Sequence, residues 1–201
     1  MNSQDEPIFS LYKLTIDPQD KSAFQSEGVN NLITSHRNEP GTLFMCATRE
    51  DETGEVNYIF ELYKDAASYQ VHAASPQFQR YAKFAQKTVQ AKEITHLNLK
   101  RLLTDQQSKE IQGENPYVAS LLEVTLDSNK VELLDKLSKN TVASFVSNLD
   151  TDHWIVINIF PDIMTMKNSK ISQKLLEISH EYKLHYLKID AMVSQANLIL
   201  K

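Results

Sequence analysis

Two residues in the first half of this 201-residue chain combine acid–base chemistry with a usable spacing. Glu61 stands between Ile59 and Tyr63, inside Val56–Tyr63 (VNYIFELY), a run whose β-branched and aromatic content reads as a strand. Unpaired buried charge is costly, so a glutamate on such a face needs a reason. His72 stands one turn after Tyr69, on a short helix fed by that strand. Histidine exchanges protons near neutral pH without a large shift, and a carboxylate beside it can hold one tautomer and stabilise the cation. His72 as proton acceptor and Glu61 as its orienter thus form one coherent pair. Each also has a structural reading: His72 as a helix-end histidine bonded to backbone, and Glu61 as partner of an Arg or Lys across the sheet. Tyr58 and Tyr81 could donate hydrogen bonds to a substrate oxygen, and His36 could line the pocket mouth. Core packing for the tyrosines and a solvated helix end for His36 are the alternatives. His96 alternates with Ile94 and Asn98 on a later strand and reads as structural.

Other chemistries are excluded by counts and spacing. The four glycines (28, 41, 54 and 113) lie at least 13 residues apart, so no glycine-rich loop can cradle a phosphate. The single Cys46, in an apolar run, rules out an intrachain disulfide framework and thiolate zinc sites, and reads as a buried inert thiol. His180 and His185 are five apart, which does not match the His-Glu-x-x-His helix. Glu177-x-x-His180 is one motif where a di-iron bundle needs two. No metal is expected, and both histidines read as ordinary helix positions. A net charge of -5 without clustered Lys and Arg argues against nucleic acid. The polar N-terminus and the lack of a long apolar run predict no membrane partner and a cytoplasmic location.

The elements that must position these residues read as two similar halves. Strands are predicted at Ile8–Ile16, Thr42–Thr48, Val56–Tyr63 and Glu93–Leu103. Helices are predicted over Ser22–His36, over Ala66–Ala73 with Asp65 as N-cap, and from Pro76 with Ser75 as cap. The order is β-α-β-β-α-β, the ferredoxin-like pattern. Thr104–Asn115 reads as a polar linker. The order then repeats: strand Tyr117–Leu126, helix Ser128–Lys139, hairpin Thr141–Asn148 with His153–Phe160, helix Ser169–Lys188 and strand Ala191–Leu200. The halves align at an offset of 97 residues, which sets Asp65 over Asp162, Glu61 over Asn158 and His72 over Ser169. Strands such as Ile8–Ile16 are apolar on both faces, so each sheet needs a second cover, most simply the other half's sheet packed face to face. The expectation is an α+β fold of tandem repeats forming an intrachain pseudo-dimeric barrel, with domains at 1–104 and 116–201.

Glu39-Pro40-Gly41-Thr42-Leu43, Tyr58–Asp65 (YIFELYKD) and His72–Phe78 (HAASPQF) resemble the antibiotic biosynthesis monooxygenase (ABM) family, over about Ile8–Leu103. The family pattern is an aromatic strand with a glutamate, a helix bearing a histidine, then Ser-Pro-x-Phe. Family members are dimeric α+β barrels of ferredoxin-like subunits. The resemblance implies a cofactor-free oxidation by dioxygen of a phenolic, quinol-like or enolisable small molecule, with His72 and Glu61 as the catalytic pair. The second half looks like a degenerate copy without those residues. Haem-degrading members carry an asparagine on the first strand and a tryptophan before the helix histidine. Here Phe9–Ile16 has no asparagine and Tyr63 stands at the tryptophan position, against haem binding or degradation. A different class of function also fits: a non-catalytic protein that binds or senses a small ligand in the same pocket. With the halves paired internally a monomer suffices, and a homodimer of the fused unit is compatible.

Overall fold

The computed structural model describes residues 6–179 and 181–198. Its first repeat runs β1 (Ile8–Ile16), α1 (Lys21–Asn38), β2 (Thr42–Arg49), β3 (Val56–Tyr63), α2 (Ala66–Ala74), α3 (Pro76–Thr88) and β4 (Val89–Thr104). The second runs β6 (Val118–Thr125), a 3-10 stretch (Ser128–Ser138), β7 (Ala143–Asn148), β8 (His153–Phe160), α4 (Ile163–Asn168), α5 (Ile171–Ile178) and β9 (Tyr182–Ser194). A short strand, β5 (Lys109–Gln112), lies between them. The fold is α+β, with two ferredoxin-like repeats in tandem.

Local chemistry explains the boundaries. Asp65 and Asp162 hold extended backbone and cap α2 and α4, each accepting a backbone N–H at 2.7 Å, from Ser68 and Thr165 respectively. Ser75 caps α3, with Pro76 in its first turn. The offset of 97 holds from β3 to β8 but not at the first strands, where Tyr12 faces Ile59 and its counterpart Leu122 faces Val156.

Several expectations are corrected. The expected helix Ser169–Lys188 stops at Ile178, because Ser179 takes extended backbone. Tyr182, His185 and Tyr186 lie in β9, where Leu187, Ile189, Ala191 and Val193 are buried in strand alternation. The helix expected over Ser128–Lys139 is 3-10, and Leu134 and Leu137 bury its one apolar edge at the matching spacing of three. The expected linker contains β5, which pairs antiparallel with β9 from Lys109 opposite Ser194 to Gln112 opposite Ala191. The readings of His180 and of Ile199 and Leu200 fall outside the described residues.

The compact units do not follow the repeat boundaries. One unit runs to His96 and adds Gln106–Asn115 and Ile189–Asn197. The other holds Leu97–Asp105 and Pro116–Lys188. The first unit orders its strands β4-β1-β3-β2-β9-β5, and Arg49 pairs with Asp190 within it. Leu14, Ile16, Met45 and Ile59 on one sheet face pack with Phe24, Leu32 and Ile33 of α1. The second unit orders its strands β4-β7-β8-β6-β9, with Val156, Phe160, Met166 and Leu175 in its core.

Gly41, at the entry to β2, lies against α2. A Cβ there would sit 2.2 Å from Ser68 Oγ and 2.5 Å from Ser68 Cβ. Gly41→Ala should therefore destabilise the protein by about 1–3 kcal/mol through overpacking. Urea denaturation checks this, and an unchanged midpoint would show that the close approach is not a constraint.

Candidate active site

Strand alternation decides which residues of β3 can reach a ligand. Ile59, Glu61 and Tyr63 point to the face covered by α1 and α3, and Tyr58 and Phe60 point to the other face. Between the sheet and the helices lies a cleft of about 520 Å³, within the range of small-molecule sites. Tyr12, Ile59 and Glu61 form its sheet side, and Phe78, Tyr81 and Ala85 of α3 face them. Tyr69 of α2 closes one wall, and Lys92, Ile94 and His96 line it from β4.

Glu61 is buried, with 6% of its surface exposed. Its Oε2 accepts a hydrogen bond from the Tyr63 hydroxyl at 2.9 Å, and Tyr12 bonds the same carboxylate. Burial raises the carboxyl's pKa, partly countered by His72, by Lys92 and by the two tyrosine hydroxyls. A carboxylate so placed takes a proton more readily than an exposed one. Desolvation and the adjacent carboxylate push the Tyr12 and Tyr63 hydroxyls upward, so both remain donors.

His72 is fully buried but does not line the cleft. Its Nδ1 lies 2.9 Å from Glu39 Oε2 and 3.2 Å from Ser35 Oγ. Its ring packs on Tyr63 at 5.3 Å and Phe78 at 4.8 Å between centroids. Nε2 has no hydrogen-bond partner among the described residues. The expected pairing of His72 with Glu61 is thus replaced: Glu39 holds His72, and Tyr63 links the two sites, its ring on the imidazole and its hydroxyl on Glu61. Glu39 is further held by Thr42 Oγ1 at 2.7 Å and by Gln77. Burial pushes the Glu39 carboxyl upward, but the bonds from His72, Thr42 and Ser75 outweigh it and hold the carboxyl below its ordinary 4.5.

The other expected binding residues divide. Tyr81 lines the cleft beside Glu61. Tyr58 is buried on the opposite face of β3, with Lys13 over its ring. His36, on the last turn of α1, is not among the cleft residues: its carbonyl accepts from Gln195 Nε2 at 3.1 Å, and its ring lies 3.5 Å from Ser108 Oγ. Tyr12, Tyr69, Lys92 and His96 join the site without having been singled out for it. For Tyr12, Lys92 and His96 the signal was strand parity: Tyr12 opposes Ile59, and Lys92, Ile94 and His96 alternate.

Among the described residues the second unit has no equivalent. At the Tyr12, Glu61 and Tyr63 positions stand Leu122, Asn158 and Phe160, all buried. Asn158 accepts from Ser144 Oγ at 2.6 Å, and Ser169, in place of His72, donates to the Met166 carbonyl. Among the described residues no group of three potential metal ligands occurs, and no helix is long and apolar enough to cross a membrane.

Residues 7–83 match the antibiotic biosynthesis monooxygenase (ABM) family model, so the first repeat carries a domain of that family. No curated protein sequence matches the chain. Solved structures share the fold over both repeats. A proposed monooxygenase from Lactobacillus acidophilus aligns with a TM-score of 0.80 at 17% identity, covering 97% of this chain and 99% of its own. One from Fusobacterium nucleatum aligns with a TM-score of 0.80 at 14% identity, covering 96% of each chain.

Because the folded pKa of Glu39 is depressed, its contribution to stability is complete above the unfolded carboxyl's value and is lost as pH falls through the lower folded value. Glu39→Gln should cost about 1.5–3 kcal/mol at pH 7, the range for a hydrogen bond to a charged group. The gap between wild type and variant should close in acid. Denaturant unfolding at pH 7 and below pH 4 measures it. A gap that does not change with pH would remove the ionised Glu39–His72 bond from the ledger of stabilising contacts.

Proposed function

Proceeding from a first repeat that carries an ABM-family domain, we propose that this protein oxidises a small phenolic, quinol-like or enolisable molecule with dioxygen, and that Glu61 is the proton acceptor. The observation that carries this reading is the buried carboxylate at the wall of a largely apolar cleft, held by two tyrosine hydroxyls. An electron-rich phenol or enol reduces dioxygen only after it loses its proton, so the reaction needs a base in a site that excludes most water. Glu61 takes that proton. The resulting anion passes electrons to dioxygen and forms a bond to it. For oxidation of a CH2 group to a carbonyl, one oxygen atom ends in the product and the other leaves as water. The substrate supplies all four electrons, so the balance closes without a further reductant.

Tyr63 and Tyr12 have two roles in this reading. They fix the carboxylate's orientation, and their hydroxyls stabilise its charge before it takes the proton. Tyr81 and Phe78 supply aromatic walls for a planar substrate. His72 acts through Tyr63 as a positioning residue, because its Nδ1 is committed to Glu39.

Oxygen uptake with a panel of quinols and anthrones tests the proposal. Wild type should consume oxygen, and Glu61→Gln should lower kcat by about 100-fold or more, the range of a lost general base. Tyr63→Phe should have a smaller effect on kcat, since it removes one bond to the carboxylate. Equal rates in wild type and Glu61→Gln would remove Glu61 from the mechanism. Saturable binding of the panel without oxygen uptake would instead make the cleft a binding site only.

A further inference from the structure

The charges that line the cleft are unevenly placed. Glu61 is buried in the sheet side and is the only carboxylate among the described lining residues. Lys92 and His96 are both exposed and sit four residues apart on β4, so alternation turns both toward the cleft. The Lys92 ammonium stands 5.4 Å from the centroid of the Tyr12 ring, a cation–π contact that holds it at the cleft wall. Among the described residues, no carboxylate lies within ion-pair distance of Lys92. His96 places Nδ1 3.2 Å from Ser10 Oγ, which leaves Nε2 for another partner.

We infer that Lys92 and His96 recognise an anionic substituent, and that the cleft takes an aromatic molecule bearing a carboxylate away from its oxidisable group. The inference deepens the proposed function and rests on its reading of the cleft as the substrate site. Two effects act together. The lysine attracts the carboxylate, and the carboxylate of Glu61 repels it, so the acid end stays at the exposed wall. The opposite end of the ring then faces Glu61. Specificity and orientation come from one charge pair, with Lys92 as the determinant and His96 as a second donor.

The test uses the full chain and ligands that it does not turn over. Calorimetric titration compares 2-naphthoate with its neutral isostere 2-naphthamide. Wild type should bind the acid about 3- to 10-fold more tightly at low salt, the range for a partly exposed charge pair. The preference should shrink in about 0.5 M salt, where such pairs are screened. Lys92→Met should abolish the preference, and Lys92→Arg should keep most of it. Lys92 is exposed, so the variants are expected to fold. Equal affinity for the two ligands in wild type, a preference unchanged in Lys92→Met, or no measurable binding of either ligand would overturn the inference. A lysine-dependent preference in this titration, together with no oxygen uptake on the quinol and anthrone panel, would refute the proposed oxidation and leave the anion site standing.

Discussion

A carboxylate carried on a strand that is buried along nearly its whole length is the constraint around which the first unit is organised. Water cannot solvate Glu61 as it would at the surface, so protein groups must do so. Tyr63 and Tyr12 supply the hydrogen bonds. The Tyr63 ring is in turn fixed by Tyr69 and His72, and His72 is fixed by Glu39. Glu39 is aimed inward where Pro40-Gly41 turns the chain into β2, and Gly41 gives α2 the room to approach. The local motifs of the sequence are therefore parts of one support, from a turn to a histidine to a tyrosine to the carboxylate.

The second unit shows what the same fold becomes without that constraint. Leucine, asparagine and phenylalanine replace tyrosine, glutamate and tyrosine at equivalent register positions. Asn158 is bonded by Ser144 and Ser169 by a helix carbonyl, while Ser120 Oγ, Ser147 Oγ and Trp154 Nε1 are buried without a hydrogen-bond partner among the described residues. The Asp cap of the first short helix after the third strand is retained in both copies, because it serves the backbone rather than a ligand.

Much of this was legible in the sequence, for definite reasons. The strands of the first repeat and the caps at Asp65 and Ser75 follow from local patterns, and local patterns were enough to find them. Glu61 was visible as a charge out of place on an apolar face. What could not be read were contacts across many residues. Glu39 and His72 are 33 positions apart, and nothing local ranks Glu39 above Glu61 as the histidine's partner. β5 has one apolar residue, Ile111, and is a strand only because β9 lies beside it. β9 was misread because Tyr182 and Tyr186 are four apart, a spacing that suits two strand repeats nearly as well as one helical turn.

The division of β4 and β9 between the units bears on the order in which the protein can be made. The cleft's residues have all been translated by His96, yet the sheet that carries them also includes residues 189–194 of β9. Asp190, the partner of Arg49, and Gln195, whose N–H bonds the Leu43 carbonyl, arrive about 140 residues or more after their partners. During synthesis the nascent first repeat must wait with an unfilled edge while the whole second repeat is translated. The half that is read first is the half that is finished last.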